Sequence, residues 1–197
     1  MSHSYHHGDL RRAVLDHAVA VIAAEGPAHF SLRSLAADLG VSHTAPRHHF
    51  GSREGVLNAV AAEGFTLLAA ALRAIREAGG GFLDVGVAYV QFALEHPGHF
   101  EVMFSPKLLD ETDPDLQAAR TVTFGELRGG VAALEATGQV DDAPAAVLAA
   151  WSVVHGIATL ALTGNIEASQ LRTYSSDGDL LEITRRSAAL LFRPETR

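Results

Sequence analysis

Apolar residues recur at helical spacing along almost the whole chain. Leu10, Val14, Ala18 and Ile22 stand three or four positions apart, and Gly26-Pro27 ends that stretch. Similar stretches, bounded by Gly, Pro, Ser or Asp, predict helices over residues 8–25, 32–39, 43–49, 52–78, 82–95, 98–105, 114–136, 144–164 and 178–192. No stretch alternates polar and apolar residues with the period of two that a strand requires. The pattern therefore predicts an all-α fold of about nine helices.

The second and third predicted helices are short and lie close together in sequence. Ser31 is a natural N-cap for the second, and Gly40-Val41-Ser42 forms a tight turn in which Ser42 is expected to cap the third. Pro46 should lie inside the third helix, where it would remove an early intrahelical hydrogen bond. This spacing is typical of a helix-turn-helix, whose second helix enters the major groove of DNA.

A helix in the major groove reads base edges with short or forked polar side chains near its N-terminal end. His43, Thr44, Arg47 and His48 have this character, and Arg47 can hold either a guanine edge or a phosphate. Serines and arginines near helix starts add phosphate contacts. The residues expected to contact DNA are Arg11, Arg12, Ser31, Arg33, Ser42, His43, Thr44, Arg47, His48, His49 and Arg53. The alternative is that these side chains only solvate an exposed face.

The charge balance favours nucleic-acid binding only in the first part of the chain. The formal net charge is −8 at pH 7, and an acidic surface repels phosphate. Over residues 1–55, however, arginines and acidic residues are equal in number, so the acidic excess lies further along. The absence of cysteine excludes a disulfide scaffold, a zinc-thiolate site and a cysteine nucleophile. The polar first residues lack the apolar stretch of a signal peptide, so we expect a cytoplasmic protein.

Aromatic residues are frequent in the remainder of the chain, and a largely apolar wall with few polar groups is typical of a small-molecule site. Trp151 and His155 are four residues apart and share a helix face. Taken singly, residues of this kind are more often plain core. The residues expected to line a ligand cavity are Phe65, Tyr89, Phe92, Phe100, Met103, Phe104, Phe124, Trp151 and His155. We therefore predict a DNA-binding domain over residues 1–52 and a ligand-binding and dimerisation domain over residues 53–197.

Residues 145–163 contain no charged side chain and are apolar on every face. By length alone this is a candidate membrane span, but Ser152, His155 and Gly156 interrupt it and no basic cluster flanks it. We expect no membrane contact and a helix that packs on its own core with one side and on a second copy with the other. The residues expected at this dimer interface are Val153, Ile157, Leu160, Leu180, Leu181, Ala188 and Leu191.

Histidines raise the question of a metal site, at His3, His6 and His7, at His48-His49, and at His96 with His99. None of these groups has His-x-x-x-His spacing together with a carboxylate, so we expect no metal and no cofactor. A Gly-x-Ser-x-Gly sequence, a P-loop and a dinucleotide fingerprint are also absent. The sequence therefore predicts a protein that is not an enzyme.

Two segments, YHHGDLRRAVLDHAVAVIAAEG and FSLRSLAADLGVSHTAPRHHFGSREGVLNAV, resemble the TetR (tetracycline-repressor-like) family of transcriptional regulators over about 60 residues. Trp151, His155 and Gly156 resemble the W-x-x-x-H-G signature of one C-terminal-domain subgroup. One departure is visible, because Arg47 stands where the subgroup usually has a tyrosine that contacts the DNA backbone.

The resemblance implies a homodimeric repressor that binds a palindromic operator in double-stranded DNA. A small apolar effector would bind between helices of the second domain, shift the fourth helix and so release the operator. The alternative from another class is a helical ligand carrier or interaction module that does not bind DNA.

Overall fold

The computed structural model describes residues 7–169, 171 and 180–192, and all regular structure within them is helical. The all-α prediction is confirmed. The described residues form ten α-helices, one more than the pattern predicts, because a four-residue helix follows Gly164. In chain order the elements are α1 (His7–Glu25), α2 (Leu32–Asp38), α3 (Ala45–Phe50), α4 (Arg53–Glu77), α5 (Phe82–Glu95), α6 (Pro97–Met103), a 3-10 turn (Pro106–Leu108), α7 (Pro114–Ala136), α8 (Ala143–Leu162), α9 (Asn165–Ala168) and α10 (Leu180–Ala189).

Helix α3 begins at Ala45, two residues later than the sequence predicts. Thr44 occupies the N-cap position without a side-chain cap bond, and the Oγ atom of Ser42 instead lies 3.1 Å from Oγ1 of Thr44. Pro46 therefore stands in the first turn, where backbone N–H groups have no intrahelical partner. The expected loss of an intrahelical bond at Pro46 is wrong, because proline fits this position without losing one.

Contacts between residues divide the described chain into two compact units. The first unit combines Met1–Thr66 with His96–Arg120, and the second combines Leu67–Glu95 with Thr121–Arg197. Helix α4 begins in the first unit and ends in the second. The domain boundary after residue 52 stays a prediction, because a compact unit is not by itself a domain with its own function.

In the first unit, helix α6 lies unusually close to two other helices. A side chain at Gly98 would place its Cβ 2.5 Å from the backbone oxygen of Val19, so only glycine allows α6 to approach α1 this closely. A Cβ on Gly64 would lie 2.5 Å from Sδ of Met103, which brings α4 against α6. These two glycines fix how tightly α6 seats within the unit.

In the second unit, α5 packs against α8 and α10. The carboxylate of Asp84 accepts a hydrogen bond from Nη2 of Arg185 at 2.5 Å and another from the N–H of Gly81 at 2.7 Å. The ring of Phe82 meets that of Phe192 edge-on, with 5.4 Å between centroids. Polar and aromatic contacts therefore hold α10 to the start of α5.

Two helices of the described chain, α4 and α8, are long and apolar enough to cross a membrane by length and composition. In α4, 56% of the most apolar 18-residue window is buried inside the protein, whereas in α8 only 17% is buried. The burial of α4 is typical of a core helix. The apolar surface of α8 remains largely uncovered in a single chain.

Candidate nucleic-acid interface

The turn between α2 and α3 is built from backbone bonds and one glycine. Helix α2 begins at Ser31, whose Oγ accepts the N–H of Ser34 at 3.1 Å. At its other end Gly40 adopts φ +64°, a value that side chains rarely allow, and the N–H of Val41 donates to the carbonyl of Ala36 at 3.0 Å. This geometry ends α2 and redirects the chain toward α3.

The exposed residues before and along α3 form one polar strip. Ser42, His43 and Thr44 precede or begin the helix, Arg47 and His48 follow on it, and all five are exposed. Thr44, Arg47 and His48 are three and four residues apart, which places them on one face of the helix. We call these five residues the reading strip. It contains no acidic side chain, so it is suited to approach a polyanion.

The remaining predicted histidine, His49, is placed differently. It is half-buried, and its ring lies 6.4 Å from the ring of Phe50. His49 therefore belongs to the less exposed side of α3, where it contacts the end of the same helix.

Three of the arginines expected to contact DNA present their side chains to solvent. The side chains of Arg33 and Arg47 are exposed and make no hydrogen bond or ion pair within the described part of the chain. Arg11 is also exposed, and its guanidinium carbon lies 5.3 Å from the centroid of the Phe50 ring, a cation–π contact. These cations are available for phosphate or base contacts.

The side chain of Arg12 forms ion pairs with two carboxylates of the same chain. Its guanidinium forms a two-pronged pair with the carboxylate of Glu63 on α4, and Nη2 lies 2.6 Å from Oδ1 of Asp16. The hydrogen bond that Arg12 donates to Glu63, and then the one that it donates to Asp16, raise the pKa of Arg12 above its usual value. Burial opposes ionisation of Glu63, but the bonds from Arg12 outweigh it, so the pKa of Glu63 is lower than usual.

A buried histidine completes this polar group. His99 on α6 is 7% exposed, and its Nε2 lies 3.5 Å from Oε2 of Glu63, too far for a good hydrogen bond. Neither ring nitrogen has a hydrogen-bond partner within the described residues. Burial lowers the pKa of His99 more than the nearby Glu63 raises it. Sequence reasoning did not find Glu63, because its partner Arg12 lies 51 residues away and no local signal marks such a pair.

Arg53 also bonds inside the protein. Its Nε donates to the carbonyl of Phe30 at 2.9 Å, and its Nη2 donates to the carbonyl of Pro27 at 2.5 Å. Both acceptors belong to the loop between α1 and α2. The structure therefore gives Arg53 a local role that its position in the sequence does not indicate.

The predicted ligand-binding residues fall into two groups, one in each unit. In the first unit, the ring of Phe104 lies 5.6 Å from that of Phe65 and 4.9 Å from that of Phe100, and Met103 is buried beside them. This group is apolar apart from the guanidinium of Arg120, which lies 5.5 Å from the Phe65 centroid.

The group in the second unit contains polar atoms. The hydroxyl of Tyr89 lies 2.9 Å from Nδ1 of His155 and accepts a longer hydrogen bond of 3.4 Å from Nε1 of Trp151. The ring of Phe124 meets Trp151 edge-on at 5.2 Å, and Phe92 is 3% exposed. Burial raises the pKa of Tyr89 and lowers that of His155, so it favours the neutral form of both side chains.

The predicted dimer residues differ in exposure. Leu160 and Leu191 are 43% and 39% exposed, whereas Ala188 is 6% exposed and turned into its own unit. The other four, Val153, Ile157, Leu180 and Leu181, are half-buried. Two exposed leucines that the prediction did not include, Leu148 at 61% and Leu190 at 87%, extend the uncovered apolar surface.

The histidines considered for metal binding do not form a metal site within the described residues. Within the described residues, no three His, Asp or Glu side chains come together in a way that could hold a metal ion. His3 and His6 lie outside the described residues. His96 and His99 are neighbours, with ring centroids 5.8 Å apart.

Comparison with known protein families gives two matches along the chain. The family described as "Bacterial regulatory proteins, tetR family" matches residues 14–60, which include α2, the turn and α3. The family described as "Tetracyclin repressor-like, C-terminal domain" matches residues 82–182. No curated protein matches the chain.

Solved structures with the same fold include a protein of unknown function from Rhodococcus sp. RHA1, which is 32% identical with a TM-score of 0.77 over 96% of this chain and 97% of that one. A bacterial regulatory protein in the tetR family from Rhodococcus RHA1 is 23% identical, with a TM-score of 0.68 over 92% and 94%. The TetR family transcriptional regulator PfmR from Thermus thermophilus is 22% identical, with a TM-score of 0.67 over 93% and 99%. The last two show the fold alone. With both family matches, the relative at 32% identity and the helix-turn-helix geometry, the chain belongs to the TetR family of DNA-binding transcriptional regulators.

Proposed function

We propose that this regulator is a ligand-responsive repressor, which binds a palindromic operator as a homodimer and is released by a small, mostly apolar molecule. The observation that supports DNA recognition is the reading strip. Its five residues lie before and along α3, all are exposed, and none is acidic. We assign base contacts to His43, Thr44, Arg47 and His48. Phosphate contacts fall to Ser31 at the start of α2, to Ser42 and to the exposed arginines Arg11 and Arg33.

The uncovered face of α8 supports the homodimer. The most apolar 18-residue window of α8 has a mean hydropathy of 1.8 and is only 17% buried, so it leaves an apolar surface that water solvates poorly. Leu148 and Leu160 lie on this surface, and the turn just after α10 adds Leu190 and Leu191. A second copy covers the same surface by two-fold symmetry. The two α3 helices of the dimer must then stand about 34 to 36 Å apart to enter successive major grooves.

The Tyr89–His155–Trp151 group supports an effector site in the second unit. It combines aromatic walls with a small number of hydrogen-bonding atoms, the combination typical of small-molecule sites. Burial favours the neutral form of both Tyr89 and His155, so this group favours an uncharged ligand group over an ion. Such a ligand releases DNA only if it binds the DNA-incompetent arrangement of the dimer more tightly than the competent one.

DNA binding is tested by selecting duplexes from a random pool with the purified protein and measuring affinity by fluorescence anisotropy. We expect a selected palindrome to bind at least about a thousand-fold tighter than a scrambled duplex. Arg47→Ala should lose roughly 1 to 3 kcal/mol and relax the preference at one base pair per half-site if Arg47 reads a base. Arg47→Lys is the matched control, because it keeps the charge and loses the fork.

Two results separate the alternatives. A uniform loss over all sequences in Arg47→Ala, with Arg47→Lys unchanged, makes Arg47 a phosphate contact. If no duplex binds above the scrambled level, the chain is a helical ligand carrier or interaction module. Repression is tested by placing the selected palindrome in a reporter promoter, where the wild-type chain should lower expression and Arg47→Ala should restore it.

A further inference from the structure

Arg53 is the first residue of α4, and its side chain reaches back to the loop between α1 and α2. Its two hydrogen bonds go to the carbonyls of Phe30 and Pro27, and its guanidinium carbon lies 6.0 Å from the centroid of the Phe30 ring. Phe30 itself is 2% exposed. A planar fork that bonds two separated carbonyls and covers an aromatic ring requires arginine, since a lysine ammonium is a single point charge.

These bonds join the two ends of the segment that contains the helix-turn-helix. Phe30 lies 23 residues before Arg53 and Pro27 lies 26 residues before it, and the segment between them contains α2, the turn and α3. Helix α2 has seven residues and α3 has six, and the N-cap residue of α3 makes no side-chain cap bond. Helices this short are not stable alone, so their orientation depends on contacts outside the segment.

Three other arginines predicted to contact DNA do not bond to backbone carbonyls as Arg53 does. Arg33 and Arg47 make no hydrogen bond or ion pair within the described residues, and Arg12 pairs with carboxylates. Arg53 alone among these four donates to backbone carbonyls, at the two ends of one loop. Its bonds therefore constrain the backbone segment that carries the reading strip.

We infer that Arg53 is a positioning residue for DNA recognition, which orients the reading strip by tying α4 to the α1–α2 loop and is not a phosphate contact. This inference rests on the proposed role of the reading strip. Loss of the tie leaves the side chains of the strip intact but lets α2 and α3 shift relative to α1 and α4. Binding then weakens although no group that touches DNA has been removed.

The test uses the full-length chain with Arg53→Gln and Arg53→Lys, and Arg33→Gln and Arg33→Lys as matched controls at an exposed arginine. Affinity for the duplex selected with the wild type is measured between about 50 and 200 mM salt, because each lost phosphate contact lowers the slope of log K against log salt by about 0.9. Hydrogen exchange of backbone amides is measured on the same proteins without DNA, since only a positioning role changes the free protein.

We expect both Arg53 variants to bind about 10- to 100-fold more weakly, the range that bonds to a charged donor supply, with the wild-type salt slope. Amides of α2 and α3 should exchange about tenfold faster or more, while amides of α5 stay unchanged. Arg33→Gln should instead lower the slope by about 0.9 per half-site and leave exchange unchanged, and Arg33→Lys should resemble the wild type.

The inference is overturned if Arg53→Lys binds like the wild type while Arg53→Gln lowers the salt slope with unchanged exchange, since Arg53 is then a phosphate contact. Wild-type affinity and exchange in both variants overturn it as well. If Arg53→Gln does not fold, wild-type exchange in Arg53→Lys is sufficient to reject the tie. If the wild type binds no duplex, the proposed function fails, whereas the exchange rates still decide whether Arg53 holds α2 and α3.

Discussion

The most apolar 18-residue windows of helices α4 and α8 have nearly the same mean hydropathy, 1.6 and 1.8, but very different burial. Helix α4 buries 56% of its most apolar window inside one chain, and α8 buries 17%. Hydropathy therefore does not distinguish a core helix from one that needs a partner. We therefore expect α4 to contribute mainly to the stability of the single chain, and the outer face of α8 to contribute to the proposed dimer. Substitutions on the two helices should separate these effects.

The largest expected effect on the stability of the protomer lies in α4. Leu57 is fully buried, so Leu57→Ala should lower the free energy of unfolding by about 2 to 5 kcal/mol through lost burial and the remaining cavity. Leu67→Ala on the same helix is the control, because Leu67 is 38% exposed and should lose less than about 1 kcal/mol. Urea denaturation measures both. Equal losses would mean that the stability contributed by α4 does not follow the burial of its side chains.

The next effect concerns assembly through α8. Leu160→Glu places a charge on the exposed apolar face, so it should weaken the dimer by about 100-fold, or roughly 3 kcal/mol, without unfolding the helices. Val122→Glu on α7 is the matched control, since Val122 is 48% exposed and lies outside the proposed interface. Light scattering reports mass and circular dichroism reports helicity. A folded Leu160→Glu variant that stays fully dimeric would remove Leu160 from the interface.

A smaller effect is expected on the inward side of α8. Tyr89→Phe removes the hydroxyl that bonds to His155 and Trp151, and it should lower the free energy of unfolding by about 1 to 2 kcal/mol. A double-mutant cycle with His155→Phe isolates the bond between the two side chains, and we expect a coupling of about 1 kcal/mol. Additive losses in the cycle would show that the bond does not stabilise the packing of α5 on α8.

The smallest expected effect is on the pH dependence of stability. Burial lowers the pKa of His99 beside α4 and of His155 on α8 below the ordinary value of 6.5. The unfolded chain then binds protons first as the pH falls, so stability decreases below about pH 6.5 until the folded pKa is reached. Each histidine contributes at most about 1.4 kcal/mol per pH unit.

Substitution by glutamine identifies which histidine dominates. His99→Gln should flatten the fall in stability more than His155→Gln, because His99 is buried and His155 is half-buried. Glu63, Arg12 and His96 face His99, and the lowered pKa of Glu63 places its own loss of stability below pH 4.5, outside this window. Denaturation midpoints between pH 5 and 7 provide the measurement. A larger flattening in His155→Gln would reverse the assignment.

Local patterns predicted those parts of the fold that depend on neighbouring residues. The apolar spacing of residues 8–25 gives α1 within one residue of its observed start, and the predicted start of α7 at Pro114 is confirmed. The predicted start of α3 is wrong, because the prediction relies on Ser42 as the cap, whereas the hydroxyl of Ser42 contacts Thr44 instead. The short α9 carries no periodic apolar pattern, so nothing in its four residues marks it as a helix.

The partners of polar side chains could not be predicted in the same way. Arg12, Arg33, Arg47 and Arg53 are equivalent in sequence as cations near a helix-turn-helix. The fold separates them, because Arg12 meets Glu63 from 51 positions away and Arg53 meets carbonyls from 23 and 26 positions away. Such contacts follow from tertiary packing and leave no trace in local spacing. The structure distinguishes exposed arginine side chains from bonded ones, and we propose DNA contacts for the exposed ones.

The glycine contact between α6 and α1 also has a mechanical consequence. At Gly98 backbone meets backbone, since an added Cβ would lie 2.5 Å from the oxygen of Val19. A side chain between two helices can change rotamer and absorb a small displacement, but this contact has no such compliance. We therefore expect helix α6 and helix α1 to move together, so that a small displacement of α6 also displaces α1.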